Sequence, residues 1–206
     1  MLTIVDYGMG NLRSIHKKLE MLKIQSRISS RPVDILSASH LILPGVGFFK
    51  AGMENLKARE LDTAIVNAVN QKNIPLLGIC LGMQLLTDHS EEGNSEGLGI
   101  IPAKVVKFSF DQTDNKLRTP HVGWNTLNIS KPCPLLKGIP TDNRYYFTHS
   151  YHVQCTNPEN SFAQTEYGNT FDTIIGRGDT WGTQFHPEKS HRMGLNIIDN
   201  FVRSNP

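Results

Sequence analysis

The chain has 206 residues, with 21 basic and 19 acidic side chains and a formal net charge of +2. This length predicts a single domain over residues 1–206. No basic cluster suited to nucleic acid is visible, and no apolar run approaches the roughly 20 residues that span a bilayer. Three cysteines without CxxC spacing argue against a disulfide scaffold or a zinc site. With no signal peptide at the start, we expect a cytoplasmic protein that binds no metal, membrane or nucleic acid.

In the first half of the chain, three apolar runs alternate with helical patterns. Residues 2–5, 41–43 and 74–79 predict buried strands, and the apolar spacing within residues 12–22 and 56–69 predicts amphipathic helices. This alternation indicates parallel βαβ units in a doubly wound sheet. Sites in such sheets form beyond the carboxyl ends of the strands, so we expect the turns after the three runs to converge on one edge.

From residue 97 onward the chain has shorter β-rich segments that are separated by turns rich in proline and glycine. The predicted strands lie at residues 103–110, 126–129, 145–153, 171–175 and 181–185, and a closing helix is predicted at residues 194–202. The predicted fold class is therefore α/β, with a mostly parallel doubly wound sheet, flanking helices and an antiparallel β extension.

The segment Gly78–Gly82, which reads GICLG, follows the third apolar run. It has the strand–turn–helix form of a nucleophile elbow, with Cys80 where many hydrolases carry serine. The flanking glycines permit a sharp turn, and the N–H of Leu81 can donate to a developing oxyanion. The structural alternative is a small buried cysteine that only packs between glycines.

The segment Phe185–Glu188, which reads FHPE, offers a base for this thiol. Pro187 disfavours helical backbone at His186, and in an extended segment Glu188 points to the same side as His186. The carboxylate can then hold one imidazole nitrogen while the other faces the thiol. Taken alone, the tetrapeptide also fits a surface histidine beside a surface glutamate. Together, the two motifs predict a Cys-His-Glu triad.

These motifs resemble those of the class I (triad) glutamine amidotransferases, and the resemblance covers nearly the whole chain. It implies a flavodoxin-like fold and an enzyme that needs no cofactor. In this class the cysteine attacks the side-chain amide of glutamine, releases ammonia and forms a glutamyl thioester that water hydrolyses. The resemblance assigns the nucleophile to Cys80, the general base and acid to His186, and the orienting carboxylate to Glu188.

Four further motifs are similar to those of one branch of this class, the amidotransferase subunits of imidazole glycerol phosphate synthase in histidine biosynthesis. The motifs are PGVGFF at residues 44–49, DYGMGNL at 6–12, PHVGWN at 120–125 and HSY at 149–151. They occur in the order that the branch shows. The resemblance therefore implies that released ammonia passes to a (β/α)₈-barrel cyclase that pairs with this chain in a heterodimer.

The resemblance also implies roles for residues outside the triad. The oxyanion hole would use the backbone N–H groups of Val46, after a peptide flip, and Leu81. Glutamine would be bound by Gly47, Gln84, Glu92, Ser150 and Tyr151. The cyclase interface would include Asn11, Trp124, Asn125, Tyr146 and Lys189. From the residues alone, Trp124 could equally belong to the core.

Two sequence features leave the ammonia acceptor open. Residues 189–194, KSHRMG, depart from the Ser-Gly continuation of the histidine enzyme, and residues 111–118 form a long polar insertion. A paralogous subunit that feeds a sugar-amidinating synthase for surface polysaccharide is therefore an alternative. An inactive scaffold for the cyclase and a stand-alone cysteine hydrolase are two others.

Overall fold

The computed structural model describes residues 1–110 and 117–204. The α-helices in this part of the chain are α1 (Leu12–Met21), α2 (Pro32–Leu36), α3 (Phe49–Ala58), α4 (Leu61–Asn70), α5 (Leu81–Leu85) and α6 (His191–Ser204). The strands are β1 (Leu2–Val5), β2 (Ser26–Ser29), β3 (Leu41–Gly45), β4 (Leu76–Cys80), β5 (His89–Ser90), β6 (Ser95–Glu96), β7 (Ala103–Lys107), β8 (His121–Thr126), β9 (Asn128–Ile129), β10 (Arg144–His149), β11 (Tyr151–Cys155), β12 (Ser161–Tyr167), β13 (Asn169–Arg177) and β14 (Thr180–Thr183).

One sheet runs through the molecule in the order β2-β1-β3-β4-β14-β13-β11-β7-β5-β6, with β12 and β9 attached beside β13. The pairs from β2 to β14 are parallel, and β13, β11 and β7 continue the sheet in antiparallel pairs. A separate antiparallel sheet consists of β8 and β10. These observations confirm the predicted fold class, a mostly parallel α/β sheet with an antiparallel extension.

Helices cover both faces of the parallel strands. Along β3, Leu41 and Leu43 join a core with α2, α3, α4 and α5, whereas Ile42 joins a second core with α1 and α6. Successive side chains of a strand point to opposite faces, so a continuous apolar run is needed when both faces are covered. This requirement explains why β1, β3 and β4 are almost wholly apolar.

Three predicted elements are divided in the structure, and one of them, the strand at residues 126–129, spans the end of β8 and β9. The single helical pattern over residues 56–69 belongs to α3 and α4, which are separated at Glu60, a residue with φ of 58°. The predicted strand at residues 145–153 is interrupted at Ser150, where the chain passes from β10 in the small sheet to β11 in the large one. The predicted polar insertion at residues 111–118 lies largely outside the described residues, at 111–116.

Candidate active site

Cys80 lies at the end of β4 and immediately before α5, with φ of 55° and ψ of −110°. A positive φ is uncommon for a residue with a side chain and is often retained at functional sites. The turn also requires glycine at residue 82, because a Cβ there would overlap the carbonyl oxygen of Leu43. The backbone thus forms the sharp strand-to-helix turn that the GICLG pattern predicts.

The register of the sheet brings His186 towards Cys80. β14 pairs in parallel with β4, and Thr183 lies opposite Ile79. The chain that leaves β14 therefore begins beside the turn at Cys80, although 106 positions separate the cysteine from the histidine in sequence. Parallel strands end at the same edge of a sheet, which is where doubly wound folds place their sites.

His186 and Glu188 form a close buried pair. The Nδ1 atom of His186 lies 2.8 Å from Oε1 of Glu188, and both side chains are 2% exposed. His186 has extended backbone, and Pro187 begins the 3-10 helix Pro187–Lys189 that carries the carboxylate. The alternative of a surface histidine beside a surface glutamate is excluded, because both side chains are buried.

The electrostatic surroundings favour the charged form of His186. Burial lowers the pKa of its imidazole, but negative charge at Cys80 and the hydrogen bond to Glu188 outweigh burial and raise the pKa. Within the described chain, Nε2 of His186 is buried without a hydrogen-bond partner. The ring is thus anchored through one nitrogen, while the other remains available for proton transfer.

A cavity of about 310 Å³ lies over Cys80. This volume suits a small metabolite. The cavity is lined by Val46, Gly47, Cys80, Leu81, Gln84, Glu92, Pro120, Thr148, His149, Ser150 and Tyr151. All residues that the sequence assigns to the oxyanion hole and to glutamine binding are among them. Pro120, Thr148 and His149 also line it without having been assigned a binding role from sequence.

The turn after β3 packs against the beginning of α5. A Cβ at Gly45 would overlap the Tyr7 hydroxyl and would lie 2.9 Å from the backbone nitrogen of Gly82. Gly47 has φ of 117°, which favours glycine. The backbone at Val46 and that at Leu81 therefore lie on neighbouring turns that border the same cavity.

Two polar side chains at the cavity, the carboxylate of Glu92 and the amide of Gln84, are held by defined hydrogen bonds. Oε2 of Glu92 accepts from the backbone N–H of Phe49 at 2.8 Å, and burial raises the pKa of this carboxyl group. Nε2 of Gln84 donates to the carbonyl oxygen of Tyr151 at 3.0 Å and to Oε1 of Gln184 at 3.1 Å. These bonds fix the positions of both side chains before any ligand arrives.

Three of the five residues assigned to a partner interface lie on one surface. Trp124 is 41% exposed and packs edge-on against Tyr146, which lies opposite it in the small sheet. Nζ of Lys189 is 5.6 Å from the centre of the Tyr146 ring. His191, which the sequence did not single out, stacks on Trp124 with 4.7 Å between ring centres. Exposure of Trp124 argues against the alternative that it belongs to the core.

The other two interface candidates have intramolecular partners. Nδ2 of Asn125 donates to the carbonyl oxygen of Glu166 at 3.0 Å, so its side chain points away from the Trp124 surface. Oδ1 of Asn11 accepts from the backbone N–H of Ser14 and caps α1. The N-cap role of Asn11 agrees with the predicted helix start.

Three buried histidines lie next to the cavity. Nδ1 of His149 is 2.8 Å from the carbonyl oxygen of Tyr151, and Nε2 of His149 is 3.1 Å from Nδ1 of His121. The rings of His121, His149 and His152 pack around Phe108. Burial lowers the pKa of His149 to about 3 and that of His121 to about 4, and it also lowers the pKa of His152. We call these three residues the histidine cluster.

The model of the family "Glutamine amidotransferase class-I" matches residues 3–205. The chain belongs to the class-I glutamine amidotransferase family. Imidazole glycerol phosphate synthase subunit HisH 2 of Methanococcus maripaludis is 44% identical over 203 residues, which cover 98% of this chain and 99% of the relative. Imidazole glycerol phosphate synthase subunit HisH of a Geobacillus species is 44% identical over 204 residues, which cover 98% and 96% of the two chains.

Two solved structures share the fold. A glutamine amidotransferase crystal structure matches with a TM-score of 0.75 at 16% identity, over 98% of this chain and 97% of that one. The structure of PurLQS from Thermotoga maritima gives the same TM-score, identity and coverage. Because the identity is low, these two matches support the architecture and not the substrate.

Within this glutamine amidotransferase, sequence reasoning missed two buried residues beside the triad. Oγ of Ser190 donates to the carbonyl oxygen of His186 at 2.7 Å and accepts from the backbone N–H of Tyr146 at 3.0 Å. Gln184 places its amide against Cys80. Both residues flank the FHPE motif, which is the signal that could have directed attention to them.

No group of three or more histidine, cysteine, aspartate or glutamate side chains in residues 1–110 and 117–204 could hold a metal ion. No helix within the same ranges is long and apolar enough to cross a membrane.

Proposed function

We propose that this glutamine amidotransferase is the glutaminase subunit of an imidazole glycerol phosphate synthase. It hydrolyses L-glutamine to glutamate and ammonia in the cytoplasm, and ammonia passes to a (β/α)₈-barrel cyclase that makes imidazole glycerol phosphate and AICAR. The observation that carries the catalytic part is the buried His186–Glu188 pair beside Cys80, under a cavity of amino-acid size. Relatives with 44% identity over nearly the full chain support the choice of synthase.

The first half of the reaction cleaves the amide. His186 takes the thiol proton at Nε2, and Sγ of Cys80 attacks the side-chain carbonyl carbon of glutamine. The N–H groups of Leu81 and, after a peptide flip, of Val46 stabilise the oxyanion of the tetrahedral intermediate. When the C–N bond breaks, His186 returns its proton to the leaving nitrogen, which departs as ammonia and leaves a glutamyl thioester on Cys80.

The second half restores the enzyme. Water loses a proton to Nε2 of His186 and attacks the thioester carbon, and the sulfur leaves as the C–S bond breaks. The sulfur recovers the proton and glutamate is released. Throughout both halves, the Glu188 carboxylate accepts from Nδ1–H and stabilises the imidazolium that forms after each proton transfer.

Recognition of glutamine depends on charged and backbone groups at the rim of the cavity. Glu92 and Gln84 bind the α-ammonium group, and the backbone at Ser150 and Tyr151 binds the α-carboxylate, with Gly47 leaving room for the ligand. The hydrogen bonds that fix Gln84 and Glu92 support these roles, because preformed polar groups lose less entropy on binding.

The proposed cyclase interface contains Asn11, Trp124, Asn125, Tyr146 and Lys189, and Trp124, Tyr146 and Lys189 lie together on one surface. Support comes from the aromatic rings at this surface, since Trp and Tyr are enriched at interface centres. His191 adds an aromatic ring to the same surface. Docking would keep ammonia away from bulk water, where it would be protonated and lose its nucleophilicity.

The test is glutamate release by the purified complex of this chain with its cyclase. Cys80→Ala should reduce the rate by at least about 10⁴-fold, because it removes the nucleophile. Cys155→Ala is the matched control, because Cys155 lies on β11 and burial raises the pKa of its thiol. Normal activity of Cys80→Ala would exclude the mechanism, and an inactive wild-type complex would favour the scaffold alternative.

The choice of acceptor is tested separately. Expression of this chain in a strain that lacks its histidine-pathway amidotransferase should restore growth without histidine. Failure to restore growth, together with normal glutaminase activity in a complex with another barrel protein, would favour the sugar-amidinating alternative. Glutaminase activity at full rate without any partner would instead favour the stand-alone hydrolase.

A further inference from the structure

Gln184 is a fully buried amide that reaches the sulfur of Cys80. It follows β14 directly, and its backbone N–H donates to the carbonyl oxygen of Thr173 at 2.9 Å. Its side-chain Nε2 lies 3.7 Å from Sγ of Cys80, within hydrogen-bond distance for sulfur. The amide is therefore held at one end by the sheet and contacts the reacting atom at the other.

The orientation of this amide follows from its neighbours. The carbonyl oxygen of Tyr151 can only accept, so the atom of Gln84 that faces it at 3.0 Å is the nitrogen. The same nitrogen lies 3.1 Å from the side chain of Gln184 and needs an acceptor there, which is Oε1. Nε2 of Gln184 must then face Cys80, since the opposite orientation would set two NH₂ groups against each other.

Besides His186, the sulfur has a further described polar neighbour that can only accept, so a second donor favours the thiolate. The carbonyl oxygen of Thr148 lies 4.0 Å from Sγ and suits the thiol form, which can donate to it. A thiolate at the same place is buried and faces the lone pairs of that carbonyl group. His186 supplies a countercharge, and an N–H donor adds to it, because a buried charge is more stable when it is hydrogen-bonded.

We propose that Gln184 is a further residue of the catalytic site, which donates a hydrogen bond from Nε2 to the Cys80 thiolate and fixes the side chain of Gln84 through Oε1. This proposal deepens the proposed glutaminase function and rests on it for the identity of the substrate. The donor lowers the energy of the thiolate before attack and again when the sulfur leaves the thioester. With both N–H groups of Gln84 fixed in this way, Oε1 is the atom that its side chain offers to the ammonium group of glutamine.

The experiment measures the pH dependence of Cys80 alkylation by iodoacetamide in a chain with Cys133→Ala and Cys155→Ala. Gln184→Met keeps the approximate volume and removes the donor. Loss of one hydrogen bond to a charged group should raise the midpoint of the alkylation profile by about one pH unit, or about ten-fold in rate below the midpoint. The titratable groups around the sulfur, His186, Glu188, Tyr7 and His149, stay unchanged in this variant.

A second variant separates the two roles of Gln184. Gln184→Glu keeps an oxygen for Gln84 but replaces the NH₂ group, so it should raise the alkylation midpoint and lower kcat with little change in KM. Gln184→Met should also raise KM, because Gln84 loses its acceptor. Gln164→Met is the matched control, since Gln164 donates to Asp172 away from Cys80 and should not change the profile.

Folding and function are checked independently of this outcome. Circular dichroism of each variant should match that of the parent chain. An unchanged alkylation midpoint in folded Gln184→Met would overturn the proposal. A shifted midpoint in a chain whose wild-type complex releases no glutamate would leave the hydrogen bond standing and exclude the glutaminase function, so the two failures are distinguishable.

Discussion

Two buried histidines at this site, His186 of the triad and His149 of the histidine cluster, have opposite ionisation preferences. Their exposed fractions are similar, 2% and 6%. Negative charge at Cys80 and the Glu188 hydrogen bond outweigh burial and raise the pKa of His186, whereas burial lowers the pKa of His149 to about 3. One imidazole thus favours the protonated form and the other stays neutral.

The difference lies in the partners of the two rings. Nδ1 of His186 meets a carboxylate, whereas Nδ1 of His149 donates to the neutral carbonyl oxygen of Tyr151 and Nε2 accepts from His121. Nδ2 of Asn125 lies 3.5 Å from Nε2 of His121, so this row of neutral groups extends towards the surface. Burial alone keeps an imidazole neutral, and negative charge beside the ring, here at Cys80 and Glu188, reverses that effect.

The strongest test of this comparison removes the carboxylate. Glu188→Gln should lower kcat of the complex by about 10³–10⁴-fold, because Nδ1 loses its charged acceptor and the imidazolium loses its stabilisation. We expect little change in KM, since Glu188 does not line the cavity. Steady-state kinetics of glutamate release provide the measurement.

The matched control is Glu91→Gln, a change of the same type at an exposed loop whose carboxylate accepts from the backbone of Lys107. It should leave kcat within about two-fold of wild type, as expected for a surface substitution. Wild-type kcat in Glu188→Gln would show that the close contact between Glu188 and His186 has no catalytic consequence.

The histidine cluster predicts loss of stability in acid. The unfolded chain binds protons near the ordinary histidine pKa of 6.5, but folded His149 does so only near pH 3. Protons therefore favour the unfolded state over this window, and His149 should reduce the free energy of unfolding by about 2 kcal/mol between pH 7 and pH 5. His186, whose pKa is raised, contributes in the opposite direction: its stabilisation is full below pH 6.5 and is lost as pH rises.

Urea titrations at the two pH values, for wild type and His149→Gln, isolate this contribution. Between pH 7 and pH 5, the free energy of unfolding of the variant should fall by about 2 kcal/mol less than that of wild type. The contribution of His186 is the same in both proteins and cancels when the two changes are compared. Equal pH dependence in the two proteins would mean that folded His149 takes up its proton near the ordinary pKa.

We expect a smaller loss of stability from a change next to the backbone that carries His186. Ser190→Ala removes the hydroxyl that donates to the carbonyl oxygen of His186 and accepts from the N–H of Tyr146. Water can reach the half-buried Tyr146, so we expect a loss of about 1 kcal/mol, the net contribution of one hydrogen bond. Urea denaturation gives the value, and Ser30→Ala at an exposed position is the control. A loss as small as that of the control would assign the orientation of His186 to its side-chain contacts alone.

Much of the fold could be predicted because the central strands are continuous apolar runs. Each element that the sequence did not predict correctly has an identifiable cause. β2, which reads SRIS, has mixed polar side chains that are only partly buried, and α2 has five residues, too few for a periodic pattern. The interruption at Ser150 depends on which sheet each half of the segment joins, and that information is not local.

Prediction of the site is limited in the same way, because some contacts join residues that are far apart in sequence. GICLG and FHPE identify Cys80, His186 and Glu188 because the motifs carry local geometry, a tight turn and a proline-restricted histidine. Gln184 and Ser190 are adjacent to these motifs, yet their significance depends on contacts with Gln84 and Tyr146 far away in sequence. A buried amide is recognised as functional only when the atom that it faces is known.

The position of β14 has a consequence for how the chain folds while it is being made on the ribosome. This strand is the last in chain order among those described, yet it lies between β4 and β13 inside the sheet. While the chain is still emerging from the ribosome, β4 has an open edge that can pair with other chains. The strand that fills this gap leads directly into the segment with His186 and Glu188. The thiol at Cys80 therefore gains its base in the same event that closes the sheet, so an incomplete chain lacks the triad.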